Sequence, residues 1–147
     1  MKNIVNSACF IGLIVSLSAC REEERAAPDA VYKSYYAKVI EGRTFEEDVS
    51  YHSKSRVAEI MAQLESGASG SEEATNQIKD LYLDFSQNLA KCGDLTLREE
   101  RVDEDAAQLI YDVEDTCSTG GNGELHIQMV YEDGWKIASD ELKITAN

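Results

Sequence analysis

Apolar positions follow a helical period in the first half of the chain. From Pro28 to Gly42 they recur at helical spacing, which predicts an amphipathic helix with proline in its first turn and glycine as its C-cap. Its apolar residues are Val31, Tyr32, Tyr35, Tyr36, Val39 and Ile40. A short segment, residues 45–51, follows. A second helix is predicted over about residues 53–65, with Val57, Ile60, Met61 and Leu64 on one side.

A third helix is predicted after a glycine-containing break at residues 67–70. Ser71 is a suitable N-cap, and Glu72 and Glu73 follow where the helix dipole favours anions. The apolar positions continue to about Lys91 and comprise Ala74, Ile78, Leu81, Tyr82, Phe85 and Leu89.

The period becomes strand-like after Gly93. Alternating apolar residues predict half-buried strands, at Leu95 and Leu97, at Leu109, Tyr111 and Val113, at Leu125, Ile127, Met129 and Tyr131, and from Trp135 to Ile137. Residues 103–105 and 132–134 are turn signals, and residues 118–123 form a loose loop. Three helices followed by about four antiparallel strands predict the α+β class.

The N-terminus has an apolar run of about ten residues that is too short to cross a membrane. It ends in Leu17-Ser18-Ala19-Cys20 and resembles a bacterial lipoprotein signal. That resemblance implies cleavage before Cys20 and acylation of this cysteine, which would give stable membrane anchoring. Because residue 21 is Arg rather than Asp, the resemblance further implies the outer membrane, on its periplasmic face.

The expected organisation is a signal peptide at residues 1–19, the acylated cysteine and a tether at 20–27, and a single domain at 28–147. The chain from Cys20 onward has 13 Lys and Arg against 28 Asp and Glu, a net charge of −15. Such acidity argues against nucleic acid and anionic headgroups as partners, because both would be repelled. It is compatible with cations and basic proteins as partners. The alternative is that the acids only keep an exported protein soluble.

Two cysteines remain after Cys9 leaves with the signal and Cys20 is acylated. In an oxidising compartment, a disulfide between Cys92 and Cys117 is the economical interpretation, and a metal site is the alternative. A hairpin centred on Glu104 brings Cys92 within one residue of the position opposite Cys117, so the sheet and the disulfide support each other.

The layout resembles the nuclear-transport-factor-2-like superfamily, and in particular its small bacterial lipoproteins. The resemblance lies in the tyrosine-rich helix ending at Gly42, the second helix with Arg56, and the final hairpin at residues 131–137. It implies a curved sheet that wraps a long helix into a cone with an apolar pocket, used for catalysis, binding or dimerisation. The four strands are fewer than in larger members of the superfamily.

The sequence contains no spaced metal motif, phosphate loop or nucleophile elbow, so no cofactor or metal is expected. His52 and His126 are interpreted as surface residues. The leading hypothesis is a non-enzymatic protein-binding module for a partner with a basic surface, in a specific version an immunity-type inhibitor of a toxin. Its candidate contact patch consists of Glu99, Glu100, Asp103, Glu104 and Asp105.

Two alternatives belong to other functional classes. One is a small-molecule or enzymatic domain with a pocket lined by Tyr35, Tyr111, Tyr131 and Trp135. The other is a structural or envelope-stress lipoprotein with no ligand beyond its complex.

Overall fold

Four helices precede a four-stranded sheet in the computed structural model, which describes residues 25–68, 70–118 and 121–145. The helices are α1 (Pro28–Glu41), α2 (Phe45–Ser50), α3 (Lys54–Gly67) and α4 (Glu72–Lys91), and the strands are β1 (Gly93–Asp103), β2 (Ala106–Asp115), β3 (Gly123–Tyr131) and β4 (Trp135–Ile144). The α+β class and the order of helices before strands are confirmed. The predicted signal peptide and Cys20 lie outside the described residues. Within the described ranges, no helix combines the length and apolarity needed to cross a membrane.

Local sequence signals account for most helix ends. Pro28 begins α1, and Gly42 ends it with a φ of +94°, in the left-handed region that favours glycine. The hydroxyl of Ser53 accepts a hydrogen bond from the Arg56 amide at 3.2 Å and caps α3. Ser71 caps α4 in the same way.

The short helix α2 is a difference from the three helices that the sequence predicts. It begins with a capping box, because the Thr44 hydroxyl accepts from the Glu47 amide at 3.1 Å and the Glu47 carboxylate accepts from the Thr44 amide at 2.8 Å. Its six residues are too few for a recognisable apolar period.

The sheet is an antiparallel meander in the order β1-β2-β3-β4. The register shifts at Arg98 in β1 and at Ala138 in β4. Each of these residues is a bulge, an extra residue without a paired residue on the neighbouring strand. Gly123 lies so close to β4 that a Cβ atom would come within 2.5 Å of the Lys143 carbonyl oxygen. The start of β3 therefore requires glycine.

The core lies between the sheet and α1. Tyr32 of α1 packs against buried residues from three strands: Ala107, Leu109, Tyr111, Ile127, Met129, Trp135 and Ile137. A second cluster of Phe45, Ile60 and Leu64 joins α2 to α3. The turn between these two helices attaches to β4, where the Ser53 amide donates to the Ile137 carbonyl at 2.9 Å and the Ile137 amide donates to the Tyr51 carbonyl at 2.8 Å.

The predicted disulfide between Cys92 and Cys117 is confirmed, with 5.1 Å between the Cα atoms. The predicted offset of one residue is also present, because Gly93 pairs with Asp115 and the Thr116 amide donates to the Cys92 carbonyl at 2.9 Å. The bond therefore ties the end of α4 to the end of β2.

Replacing both cysteines by serine should destabilise the protein by about 3 kcal/mol, since the disulfide closes a loop with a sequence separation of 25 residues. Urea unfolding of the oxidised protein and the double variant measures this difference. The reduced wild-type protein is the control and should unfold with the double variant. Equal midpoints for the oxidised protein and the variant would contradict the prediction.

Candidate functional site

A cavity of about 190 Å³ lies between the sheet and helices α1 and α4. Its wall is mostly apolar and is formed by Tyr32, Tyr35, Tyr36 and Val39 of α1, by Ser86, Leu89 and Ala90 of α4, and by Gly93, Leu95, Val113, Leu125, Asp140 and Leu142 of the sheet. This volume is comparable to that of engineered cavities that bind benzene.

Most polar groups in this wall have hydrogen-bond partners within the protein. The Tyr36 hydroxyl lies 3.0 Å from the Ala90 carbonyl and 2.9 Å from the Gly93 carbonyl, and it donates to them. Ser86 donates to the Leu83 carbonyl at 2.9 Å, and Asp140 accepts from Arg56 at 3.3 Å. The cavity therefore offers mainly apolar surface, which favours binding of an apolar group.

A buried carboxylate lies behind Tyr35. Asp48 of α2 is fully buried and accepts hydrogen bonds from Arg43 Nε at 2.5 Å, from the Tyr35 hydroxyl at 3.0 Å and from the Tyr82 hydroxyl at 3.1 Å. Arg43 also donates to Ser86 at 3.2 Å. One carboxylate thus joins α1, α2, α4 and the loop after α1.

This network changes the ionisation of its members. Burial, followed by the negative charge of Asp48, raises the pKa of Tyr35 well above its usual value and that of Tyr82 to about 12. Burial alone would lower the pKa of the Arg43 guanidinium. The electrostatic interactions with Tyr35 and Asp48 raise it by more, so the pKa is raised overall. Both phenols are therefore held neutral beside a charged pair.

The four residues predicted to line one pocket do not share a cavity. Tyr35 lines the cavity described above, whereas Tyr131 and Trp135 border a separate depression beside Arg25. Tyr111 is fully buried in the core, and its hydroxyl donates to Asp29 at 2.7 Å. Strand register separates these residues, because Tyr131 and Trp135 pair at the β3–β4 turn while Tyr111 pairs with Leu125 further along the sheet.

The five acidic residues predicted as a contact patch are divided between the two faces of β1 and the turn that follows it. Glu99 and Glu100 are consecutive on β1 and point to opposite faces; Glu99 pairs with Arg101. Glu100 accepts from the Asp29 amide at 3.2 Å, at the start of α1. Asp103 ends β1, and Glu104 and Asp105 form the following turn.

An apolar face on α4 is exposed. Leu81, Phe85 and Leu89 recur every four residues and are 68, 66 and 50 % exposed, whereas Tyr82, Ser86 and Ala90 turn towards the protein. We call Leu81, Phe85 and Leu89 the α4 apolar face. Leu89 also lines the cavity, together with Leu142, which is itself 47 % exposed. The apolar face therefore continues into the cavity.

The two histidines differ from their interpretation as surface residues. His52 is buried: its Nδ1 lies 2.9 Å from the Asp48 carbonyl, and its ring meets Tyr35 edge-on at 5.5 Å between centroids. His126 is partly buried, with Nε2 at 3.1 Å from Glu124. Among the described residues, no group of His, Cys, Asp and Glu is arranged to hold a metal ion.

The tyrosines should make the fold sensitive to alkali. Burial is the first cause that raises the pKa of Tyr32, Tyr35, Tyr36, Tyr82 and Tyr111. Stability should therefore be complete below the unfolded pKa of about 10 and be lost as pH rises above it. Phenolate absorbance and circular dichroism should change together in one cooperative step.

Tyr82→Phe is the matched control for this titration. It should reduce by about one the number of protons released on unfolding near pH 11, because one phenol with a raised pKa is removed. Independent titration of all tyrosines near pH 10 in a protein that stays folded would contradict the prediction.

Comparison of the chain with protein-family models, with curated proteins and with solved structures finds no match. The candidate site is therefore defined by its own geometry: an apolar cavity, a buried Asp48 network behind it, and an exposed apolar helix face at its edge.

Proposed function

We propose that this protein is a lipoprotein, anchored through Cys20 to the periplasmic face of a bacterial outer membrane, that acts as a non-enzymatic protein-binding module. The α4 apolar face carries the proposal. Three large apolar side chains in a row on one helix, each at least half exposed, mark a surface that excludes water when a partner covers it.

Charge beside the α4 apolar face favours a basic partner. Asp80 and Asp84 lie four residues apart and directly precede Leu81 and Phe85. Neither aspartate makes an ion pair with any residue that the structure describes. Like charges at this spacing destabilise a helix by a few tenths of a kcal/mol. A cationic partner would remove that repulsion while its apolar residues cover Leu81 and Phe85.

The predicted acidic patch on β1 and its turn gives weaker support as the contact surface. Asp105 is bound by Arg25 at 2.8 Å, and Glu100 accepts from the first turn of α1. These two carboxylates already have partners in the folded chain, and Glu99 pairs with Arg101. We therefore assign the partner contact to the α4 apolar face and its flanking aspartates.

We also infer that the domain is nuclear-transport-factor-2-like. The helices that precede an antiparallel sheet and the apolar cavity between them support this inference. Such a fold hosts both enzymes and binding proteins, so the function depends on the site rather than on the fold.

Replacing Leu81, Phe85 and Leu89 by serine should weaken partner binding by about tenfold or more, because apolar anchors supply most of an interface's energy. Folding should be little affected, since the three side chains are largely exposed. The proteins are captured from their own membranes at low and high salt, bound proteins are identified by mass spectrometry, and affinity is then measured with the purified partner.

The matched control is Val102→Ser, which removes an exposed apolar side chain from β1, away from α4. A basic protein that is released by salt, retained by Val102→Ser and lost by the triple variant supports the proposal. A toxin in that role would identify the immunity-type version. A partner retained equally by all three proteins would remove the α4 apolar face from consideration.

The second candidate function is binding of a small apolar ligand in the cavity of about 190 Å³. If it is correct, small aromatic compounds should raise the melting temperature of the wild-type protein, and the increase should grow as the ligand concentration rises above the dissociation constant. Val113→Phe, which fills the cavity wall, should abolish the shift. An unchanged melting temperature across a panel of such compounds would contradict this candidate.

A further inference from the structure

The chain is fastened where it enters the domain. Arg25 Nη1 donates to the Asp105 carboxylate at 2.8 Å and to the Glu104 carbonyl at 3.2 Å. Its guanidinium also lies 4.0 Å from the centre of the Tyr131 ring, in a cation–π contact. Three residues later Pro28 is buried at the start of α1. The entering segment is therefore held against the two turns of the sheet.

These turns define one end of the molecule. The β1–β2 turn at residues 104–105 and the β3–β4 turn at residues 132–134 lie together, because the four strands form a simple meander. We call this the hairpin end. The opposite end contains Cys92, Cys117, Gly123 and Ile144, and we call it the disulfide end. Strands of nine to eleven residues separate the two ends by about 30 Å.

The length of chain before Arg25 sets which end approaches a lipid anchor. Arg25 is the fifth residue after Cys20, and five steps along the chain span at most about 18 Å. The anchor therefore reaches the hairpin end but not the disulfide end. We propose that the hairpin end faces the lipid headgroups and that Arg25 fixes this orientation. The inference rests on the proposed acylation of Cys20.

In this orientation, the acidic residues of the hairpin end lie next to the membrane. Asp103, Glu104, Asp105, Glu132 and Asp133 all belong to the hairpin end. Anionic headgroups repel these carboxylates within the Debye length of about 8 Å, so this end stands on the membrane without inserting. Leu89 lies one turn before Cys92, at the other end. The C-terminal half of the α4 apolar face is therefore presented away from the membrane.

Energy transfer from tryptophan to dansyl groups on lipid headgroups tests the orientation. Trp135 is the single tryptophan of the chain and begins β4 at the hairpin end. The acylated protein is reconstituted into zwitterionic vesicles, and acylation is verified from its mass. Transfer from Trp135 should be several-fold stronger than transfer from a tryptophan near the disulfide end, in a W135F variant that also carries Glu114→Trp.

Two further variants complete the test. One checks that the substitution at residue 114 leaves the fold intact, and the other tests the role of Arg25. Glu114→Trp in a protein that keeps Trp135 should add donor emission without adding sensitised acceptor emission. Arg25→Ala frees the chain up to Pro28, so transfer from Trp135 should fall and transfer from residue 114 should rise.

Each contrary outcome has its own meaning. An acylated protein with equal transfer from positions 135 and 114 overturns the orientation alone. A protein without acyl mass overturns the anchor and the orientation together, and leaves binding at the α4 apolar face to be judged by the serine variants.

Discussion

The arrangement of the helices depends on one buried carboxylate, Asp48. It is fully buried and receives donors from α1 through Tyr35, from the following loop through Arg43, and from α4 through Tyr82. A buried ion pair adds little net stability compared with apolar packing, but removing one partner leaves an uncompensated charge and is strongly destabilising. The Asp48 network therefore acts mainly on specificity: it sets how α1, α2 and α4 meet above the sheet.

The position of this network has a consequence for the candidate site. Tyr35 and Ser86 belong both to the Asp48 network and to the cavity wall, so the network holds the cavity between α1 and α4 in shape. With Tyr82 and Ser86 turned inward, a helix of this period must carry Leu81 and Phe85 on a neighbouring side. The exposure of the α4 apolar face thus follows from the contacts made by the Asp48 network.

Local patterns in the sequence are sufficient for most of the fold. Pro28, Gly42 and Ser71 mark helix ends by their own chemistry, and alternating apolar residues mark the strands. The disulfide was predictable because few cysteines remain and the hairpin register brings them close. Helix α2 carries a usable signal as well, since Thr44 and Glu47 have the spacing of a capping box.

The candidate site was less predictable because it depends on tertiary contacts. Periodicity identifies α4 as a helix but does not determine which of its apolar residues are covered. The pairing of Arg43 with Asp48, five residues apart, has no sequence signal of burial, because charged residues are usually exposed. The burial of His52 likewise has no sequence signal, because its partners are a backbone carbonyl and the ring of Tyr35. Alternation along β1 also separates Glu99 from Glu100, which a patch defined by sequence proximity does not take into account.

The strong negative charge of the chain opposes self-association through the exposed α4 apolar face. An apolar stripe on a protein surface promotes association between copies unless something opposes it. A net charge of −15 after residue 19 supplies that opposition through repulsion between copies, and Asp80 and Asp84 place part of it beside the stripe. The same charge attracts a basic protein and speeds its association. Acidity therefore disfavours a second copy on the α4 apolar face, and it is the charge that the proposed basic partner would complement.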